Sequence, residues 1–429
     1  MGPAMPETLY AHPDRFLFGF GLFAALLAWN VYRPLRAPVS IGVVSFFIGW
    51  LTGELAMHHI ALQIASLAYF TYAGALSAPL GVAGAGFTVI AMAALARYHE
   101  TGHATGSSHT STFDDAGMKL LGDKVAPTSV IRPFHMKRKR VVVDRAVEVA
   151  RVGNVVLRAD VYHRDDLPKD APVVLYIHGG AWVIGYKKYQ GLPILNELAE
   201  QGFVCISASY RLSPGATFPE HAHDAFRAVA WARQNVAKYG GDPARISVVG
   251  NSAGGHLAAI VALGHREPRL RPPELGDVDL STFACVSLYG VFDVTNRHGH
   301  WPGQGMRPFM ERMVLKANIA DDPDLFRLAS PIDLIEEDSP PFLVIHGNRD
   351  SLVPVGESRR FVDALRAKAT TLPVYLEVEG AQHAFDIFHS VRGRYAVRAI
   401  VTYLGERATH AATGRSAESR MESPACVAS

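Results

Sequence analysis

The chain has 429 residues, of which 49% are hydrophobic, and its formal net charge is +2. This length is enough for one large domain with a well-buried core and an additional region. The near balance of basic and acidic residues excludes the basic excess typical of nucleic-acid binding, so no nucleic-acid partner is expected.

The first hundred residues are strongly apolar. Only one Asp, Glu, Lys or Arg, Glu54, occurs between Ala37 and Ala96. A helix needs about 20 mostly apolar residues to cross a bilayer. Residues 1–98 are therefore predicted to form a transmembrane helical region of three or four segments, which anchors the protein in a membrane; a buried helical subdomain is the alternative. The flanking arginines balance, so the positive-inside rule assigns no side to the rest of the chain. The apolar stretches are 16–32, 37–53, 55–74 and 78–96.

The remainder of the chain divides by composition. Residues 99–140 are rich in Gly, Ser, Thr and His and are predicted to be a polar linker and lead-in. From 141 to 408, apolar strand-like runs alternate with helical stretches, which predicts an α/β domain with a mostly parallel sheet covered on both faces. A chain beginning near residue 137 is expected to fold and act without the helical region. Residues 409–429 are predicted to be a disordered tail.

One serine stands between a strand-like run and a helical run. The segment "RISVVGNSAGGHLA" contains the pattern Gly-x-Ser-x-Gly at Gly250, Ser252 and Gly254. Small residues on both sides let neighbouring backbone pass close to a strained turn that exposes the serine hydroxyl. Ser252 is therefore the predicted nucleophile, and the N–H of Ala253 is a predicted oxyanion donor. A glycine-rich turn with a capping serine is the structural alternative.

A glycine pair ends an earlier strand-like run, "VVLYIHGGAW". Without side chains, Gly179 and Gly180 leave their backbone N–H groups unobstructed, so both are predicted to donate to an oxyanion together with Ala253. Trp182 lies in the same loop and is a candidate to shape the substrate site. His178 is expected to hold the loop by hydrogen bonds.

An acid and a base follow the last two strand-like runs. Asp350 comes after "PFLVIHG", and His383 comes after "PVYLEVEG". The chain order Ser252, Asp350, His383 is that of the α/β hydrolases, which predicts a catalytic triad. The rival acids are Asp293 and Asp386, and the rival bases are His256 and His389.

Five motifs occur in order across this domain: "HGGAW", "SASYRLSP", "YGGDPARISVVGNSAGGHLA", "HGNRDSLVP" and "GAQHAF". On these motifs, residues 141–405 resemble the hormone-sensitive-lipase-like carboxylesterases of the α/β-hydrolase superfamily. Ala181 stands where that family has a third glycine, and Asn251 where an aspartate commonly precedes the nucleophile. Both departures favour relatives such as membrane-anchored carboxylesterases, prenylcysteine methylesterases and kynurenine formamidase-like enzymes.

An insertion at about residues 294–328 interrupts the domain. Segments of this length in a compact domain are usually lids or binding surfaces. Its Trp301 and Phe309 are candidates, with Trp182, for an apolar wall around the substrate; packing of the lid onto its own domain is the alternative.

Together these features predict a membrane-anchored serine carboxylesterase or lipase that cleaves apolar esters through an acyl-enzyme and needs no metal or cofactor. A prenylcysteine methylesterase or an aryl-amide or formamide hydrolase is the alternative reaction. A catalytically inactive hydrolase fold used for binding is the alternative from a different class.

Overall fold

Four helices precede the sheet in a computed structural model that describes residues 12–120 and 130–421. The first and fourth approach closely because both carry glycine at the contact. A Cβ atom on Gly21 would lie 2.1 Å from the carbonyl oxygen of Gly84, and one on Gly84 would lie 2.5 Å from the nitrogen of Phe18. The four helices are α1 (Pro13–Tyr32), α2 (Val39–Glu54), α3 (Ala56–Tyr72) and α4 (Pro79–Asp115).

Two of these helices, α1 and α4, are long and apolar enough to cross a membrane. The axes of α2 and α3 meet at 81°, so this bent pair counts at most as one further span among the described residues. The described helices therefore offer two or three candidate spans, where the sequence predicts three or four segments. The break between α2 and α3 follows Glu54. The buried carboxylate of Glu54 accepts a hydrogen bond of 3.2 Å from the hydroxyl of Tyr98.

The predicted linker is wrong for residues 99–115, which continue α4. Small residues on one face of this helix approach the C-terminal helix: a Cβ atom on Gly106 would lie 2.5 Å from the ring of Tyr395, and one on Gly102 would lie 3.0 Å from the guanidinium of Arg392. Tertiary packing thus stabilises a helix in a segment whose Gly, Ser and Thr content disfavours one.

Eight strands form one sheet: β1 (Val141–Val152), β2 (Val155–Arg164), β3 (Ala171–Ile177), β4 (Val204–Ala208), β5 (Gly241–Asn251), β6 (Cys285–Leu288), β7 (Phe342–Gly347) and β8 (Val374–Val378). Their order is β1-β2-β4-β3-β5-β6-β7-β8. Strand β2 is antiparallel to both β1 and β4, and the other neighbouring pairs are parallel. The predicted fold class, α/β with a mostly parallel sheet, is confirmed.

Helices cover both faces of the sheet. One hydrophobic core lies between the sheet and the helices at 220–235, 253–263 and 356–368, and a second lies between the sheet and the helices at 192–200 and 391–421. Because both faces are covered, β3 is apolar along its length and β5 is buried from Arg245 onward. The last helix includes residues 409–421, where a disordered tail is predicted; residues 422–429 lie outside the described residues. The helices are α5 (Leu192–Glu200), α6 (Glu220–Asn235), α7 (Ala253–Leu263), α8 (Pro323–Leu328), α9 (Gly356–Lys368) and α10 (Val391–Met421).

The strand order places Ser252 and the Gly179 loop side by side, at the carboxyl ends of two central strands of the sheet. From β3 the chain moves to β4 on one side and then returns to β5 on the other, so loops after β3 and β5 leave the sheet side by side. Such a reversal, at the carboxyl ends of parallel strands, forms a crevice in α/β folds. The Gly179 loop follows β3, and Ser252 follows β5.

Candidate active site

Ser252 occupies a sharp turn between β5 and α7, with φ 55° and ψ −124°. The glycines around it are required by space. A Cβ atom on Gly250 would lie 2.1 Å from the carbonyl oxygen of Gly254, and one on Gly254 would lie 2.0 Å from the carbonyl oxygen of Ile177. The Gly-x-Ser-x-Gly spacing therefore permits three chain segments to converge, and the serine side chain remains half-buried at the helix N-terminus.

A hydrogen-bonded relay joins the three predicted triad residues. The hydroxyl of Ser252 lies 2.8 Å from Nε2 of His383, and Nδ1 of His383 lies 2.6 Å from Oδ2 of Asp350. Because a carboxylate only accepts, the ring hydrogen is on Nδ1, and Nε2 is free to accept the serine proton. This is the arrangement that a general base needs.

The carboxylate of Asp350 is buried but well supported. Its Oδ1 accepts the backbone N–H groups of Leu352 and Val353, both at 2.8 Å. Burial alone would raise its pKa; the charge of His383 and the hydrogen bonds from His346 and His383 outweigh it and hold the pKa below the usual value. Asp350 is thus ionised at neutral pH and can stabilise an imidazolium.

Two residues that the sequence analysis does not single out support this relay. Nε2 of His346 lies 3.2 Å from Oδ2 of Asp350 and 3.0 Å from the carbonyl oxygen of Val353, which assigns its ring hydrogen to Nε2. Oε1 of Gln382 accepts the N–H groups of Ser351 and His383 at 2.7 and 2.9 Å. Gln382 therefore ties the loop of the acid to the loop of the base.

The rival acids lie elsewhere. Asp293 accepts hydrogen bonds from Thr295 and Arg297 and so organises the start of the lid. Asp386 is buried and accepts a hydrogen bond from the hydroxyl of Tyr289. Neither carboxylate hydrogen-bonds to His383 in the described parts of the chain.

The rival bases are structural. His256 accepts a hydrogen bond from Nε1 of Trp182 at 3.3 Å, and its Nε2 lies 2.8 Å from the carbonyl oxygen of Ala329. Burial lowers its pKa to about 4, so the ring is neutral. His389 is also buried, and burial lowers its pKa to about 4. Among the residues that the structure describes, neither ring hydrogen-bonds to the hydroxyl of Ser252, which instead pairs with His383.

The oxyanion prediction needs one correction. The N–H of Gly179 already donates to Oδ1 of Asn251 at 2.9 Å and to Oε1 of Gln190 at 2.8 Å, so it is not free for a substrate oxygen. By contrast, the N–H groups of Gly180, Ala181 and Ala253 donate to no acceptor among the residues that the structure describes. Gly180 and Ala181 have φ values of 122° and 51°, as a turning loop requires.

Asn251, the departure before the nucleophile, is part of a buried network. Its Oδ1 accepts from the hydroxyl of Tyr176 at 2.9 Å as well as from Gly179, and its Nδ2 donates to the hydroxyl oxygen of Tyr289 at 3.1 Å. Tyr289 in turn donates to Asp386 and lies against the His383 ring, with the centroids 4.4 Å apart. The network holds the oxyanion loop and the imidazole relative to each other.

The three predicted substrate-wall residues are largely engaged in packing. Trp182 is fully buried against His256. Phe309 packs on the main hydrophobic core. Trp301 donates through Nε1 to the buried carboxylate of Glu357 at 3.1 Å and also lines a cavity of roughly 440 Å³. That cavity touches Asp350 but not Ser252, so it does not hold the reacting carbonyl.

A side chain from the N-terminal helices completes the surroundings of His383. The ring of Phe46, in α2, contacts the imidazole edge-on, with the centroids 5.7 Å apart, and is only 7% exposed. Phe46 is hard to single out from the sequence, because it is one of many apolar residues in its stretch. The glycines at Gly42, Gly49 and Gly53 mark the inward face and are the available signal.

This chain is similar to known esterases over most of its length. The BD-FAE family model matches residues 159–365. The probable carboxylic ester hydrolase LipM of Mycobacterium tuberculosis is 34% identical over 398 residues, which cover 88% of this chain and 90% of LipM. This chain belongs to the hormone-sensitive-lipase-like esterases of the α/β-hydrolase superfamily. The predicted family is thereby confirmed.

Other similar proteins match less of the chain. The esterase LipQ of the same organism is 41% identical over 248 residues, which are 57% of this chain and 58% of LipQ. The isoprenylcysteine α-carbonyl methylesterase of Arabidopsis thaliana is 30% identical over 234 residues, 54% of each chain. Among solved structures, Thermogutta terrifontis esterase 2 with bound propionate has a TM-score of 0.51 at 25% identity and covers 63% of this chain and 93% of that chain.

Proposed function

We propose that this protein is a serine esterase that hydrolyses apolar carboxylic esters through an acyl-enzyme. The hydrogen-bonded relay from Ser252 through His383 to Asp350 carries this proposal, because it supplies a nucleophile, a base and a charge-stabilising acid in one line. The family supports the reaction type, since its members named above include esterases and a carboxylic ester hydrolase.

In the first half-reaction the oxygen of Ser252 attacks the ester carbonyl carbon while Nε2 of His383 takes the hydroxyl proton. The carbonyl oxygen becomes an oxyanion, for which the free N–H groups of Gly180, Ala181 and Ala253 are the proposed donors. Collapse of this intermediate breaks the bond to the alcohol oxygen, which receives the proton from His383. The alcohol leaves and the acyl group remains on Ser252.

In the second half-reaction water replaces the alcohol. His383 removes a proton from the water as the water oxygen attacks the acyl carbon, and the same N–H groups hold the second oxyanion. Collapse releases the carboxylic acid and returns the proton to Ser252. No step requires a metal, and among residues 12–120 and 130–421 no group of three His, Cys, Asp or Glu side chains is placed to hold one.

We propose further that the helical region anchors this esterase in a membrane. The length and apolarity of α1 and α4 support this, and large apolar side chains such as Phe23, Trp29 and Ile90 are exposed on them. Apolar exposure on this scale is unusual for a soluble monomer. The proposal expects the full chain to stay with membranes after an alkaline carbonate wash and to require detergent for release.

A prenylcysteine methylesterase is the second candidate, favoured by the similarity to the Arabidopsis methylesterase. Both reactions use the same acyl-transfer steps and differ in the substrate. Assay of a farnesyl-cysteine methyl ester beside aliphatic esters of matched size distinguishes them: a clear preference for the farnesyl compound in kcat/KM would assign the second function.

The nucleophile is tested with Ser252→Ala in the full-length chain. Because a triad acts as a unit, this change should lower kcat for p-nitrophenyl butyrate by at least about 10³-fold. The wild type should also react covalently with a fluorophosphonate at Ser252, identified by peptide mass spectrometry, and the variant should not. Ser330→Ala, which removes a buried serine outside the relay, is the matched control and should be labelled. Retention of more than about a tenth of wild-type kcat in Ser252→Ala would overturn the proposal.

A further inference from the structure

The helical region contacts the active-site loops directly. Phe46 contacts the imidazole of His383 edge-on, and Tyr289 contacts the same ring, so the base packs against one ring from the α/β domain and one from α2. The ring of Phe46 stacks on Trp50 at 5.6 Å, and Trp50 contacts Phe388 at 5.3 Å. An aromatic row thus leads away from the base along α2.

We propose that α2 forms the wall of the alcohol side of the active site, and that the enzyme takes esters with an apolar, bilayer-resident alcohol portion. This inference rests on the proposed function. In that mechanism His383 gives its proton to the departing alcohol oxygen, so this oxygen must lie within hydrogen-bonding reach of Nε2. Of the two rings that contact His383, Tyr289 is held in the buried network with Asp386, so Phe46 is the ring that we place beside the alcohol portion.

The opposite face of α2 is apolar and exposed. Val44 and Phe47 are 58% and 51% exposed, and Ile41 and Leu51 also point outward. One helix therefore has an outer face suited to lipid and an inner face on the catalytic base. An alcohol chain that follows the aromatic row from His383 remains beside apolar side chains, so its transfer from a bilayer exposes little apolar surface to water.

Polar contacts hold α2 and its neighbours α1 and α4 on the two catalytic loops. On the loop of the acid, the hydroxyl of Ser351 donates to the carbonyl oxygen of Gly42 at 3.3 Å, and Arg349 donates to the carbonyl oxygen of Val31 at 3.2 Å. On the loop of the base, the hydroxyl of Tyr98 lies 3.0 Å from the carbonyl oxygen of Gly380. Because these contacts are polar and specific, the helical region that includes α2 has a defined position relative to the reacting groups.

The test compares two ester series in full-length protein reconstituted in phosphatidylcholine vesicles. One series keeps the butyryl group and lengthens the alcohol from ethyl to decyl; the other keeps p-nitrophenol and lengthens the acyl group from acetyl to decanoyl. Burial of a methylene is worth about a fourfold gain in binding. Wild-type kcat/KM should therefore rise about two- to fourfold per added alcohol methylene, until the alcohol chain is long enough to extend beyond the side chains of α2.

Phe46→Ala should flatten the alcohol series while keeping the slope of the acyl series. Phe23→Ala is the matched control, because it removes the same ring from an exposed position on α1, and it should keep both slopes. Phe46→Leu, which keeps an apolar side chain, should restore part of the alcohol slope. If Phe46→Ala leaves the alcohol slope unchanged, or lowers both slopes equally, α2 is not the alcohol wall and the inference is overturned.

Fluorophosphonate labelling of Ser252 in the same vesicles separates this inference from the proposed function. A labelled wild-type enzyme with a flat alcohol series overturns the inference alone. A wild-type enzyme that neither reacts at Ser252 nor hydrolyses either series overturns the proposed function, and the inference with it.

Discussion

At the residue scale, an amide at position 251 suits its surroundings better than the carboxylate common in the family. Asn251 accepts from Gly179 and Tyr176 and donates to Tyr289, whose own proton goes to Asp386. An ionised aspartate has no donor, so it would leave the Tyr289 oxygen without its partner and place a second negative charge near Asp386. The substitution is therefore consistent with the Tyr289–Asp386 pair.

The acid role is tested by comparing Asp350→Asn with Asp293→Asn. An amide at 350 cannot stabilise the imidazolium and favours the wrong ring tautomer, so kcat should fall by about 10³–10⁴-fold. Asp293→Asn weakens contacts to Thr295 and Arg297 in the lid and should cost about 1–2 kcal/mol of stability, with kcat within about tenfold of wild type. Steady-state kinetics and thermal unfolding measure both. A larger kcat loss for Asp293→Asn would move the acid role.

Asp386 makes stability depend on pH. Burial raises its pKa to about 6 from 3.8, although the hydrogen bond from Tyr289 favours the ionised form. The native state therefore binds this proton more tightly than the unfolded chain, and stability should fall as pH rises from about 4 to about 6. That pKa difference corresponds to at most about 3 kcal/mol. Asp386→Asn stays neutral and should lack this loss.

The measurement is the thermal unfolding of the wild type and Asp386→Asn at pH 4.5 and pH 7.5. The unfolding temperature of the variant, relative to that of the wild type, should be higher at pH 7.5 than at pH 4.5. An equal difference at both values would show that Asp386 does not titrate in this range.

At the element scale, the sequence and the structure agree where a local pattern determines the outcome. Gly250 is forced by a contact with the carbonyl oxygen of Gly254 in the same turn, so its spacing from Ser252 is readable. The strand before Asp350 is marked by a continuous apolar run, and the strand before His383 by alternating buried and half-buried residues. The face of α2 that meets His383 depends instead on contacts with residues more than 300 positions away, which no local pattern encodes. The same reason explains why residues 99–115 are helical.

Arg392 in α10 is expected to couple three elements. Its guanidinium lies 3.8 Å from the ring centroid of Tyr98, and its nitrogens donate to the carbonyl oxygens of Tyr98 in α4 and of Glu379 after β8. A lysine cannot reproduce a stacked, multiply donating plane. Arg392→Lys should therefore lower stability by about 2–4 kcal/mol and reduce kcat through the displaced loop of His383.

The control for this variant is Arg359→Lys, which alters an exposed ion pair with Glu377. Surface pairs are worth at most about 1 kcal/mol, so this change should leave both the unfolding temperature and kcat nearly unchanged. If the two variants show the same changes in unfolding temperature and kcat, a lysine replaces Arg392 adequately, and Arg392 does not couple the three elements.

At the scale of the whole molecule, the contacts argue against a catalytic domain that works alone. The helical region packs on both loops that carry Asp350 and His383, through Phe46, Tyr98 and the contacts of Ser351. Its removal would uncover apolar rings beside the base and leave polar groups of the loops without partners. The helical region is therefore part of the framework of the active site as well as a proposed anchor.

A chain beginning at residue 137 tests this directly. We expect it to keep the far-ultraviolet circular dichroism of an α/β fold, because both hydrophobic cores of the sheet lie largely after Val141. Its unfolding temperature should fall, and kcat for p-nitrophenyl acetate should drop by at least about tenfold, since a small displacement of a catalytic group costs up to about 10²-fold. The short water-soluble ester is chosen so that lost membrane contact cannot explain the loss. Wild-type kcat and an unchanged unfolding temperature in the truncated chain would show that the loops of Asp350 and His383 hold their geometry without the helices, which would then serve only as an anchor.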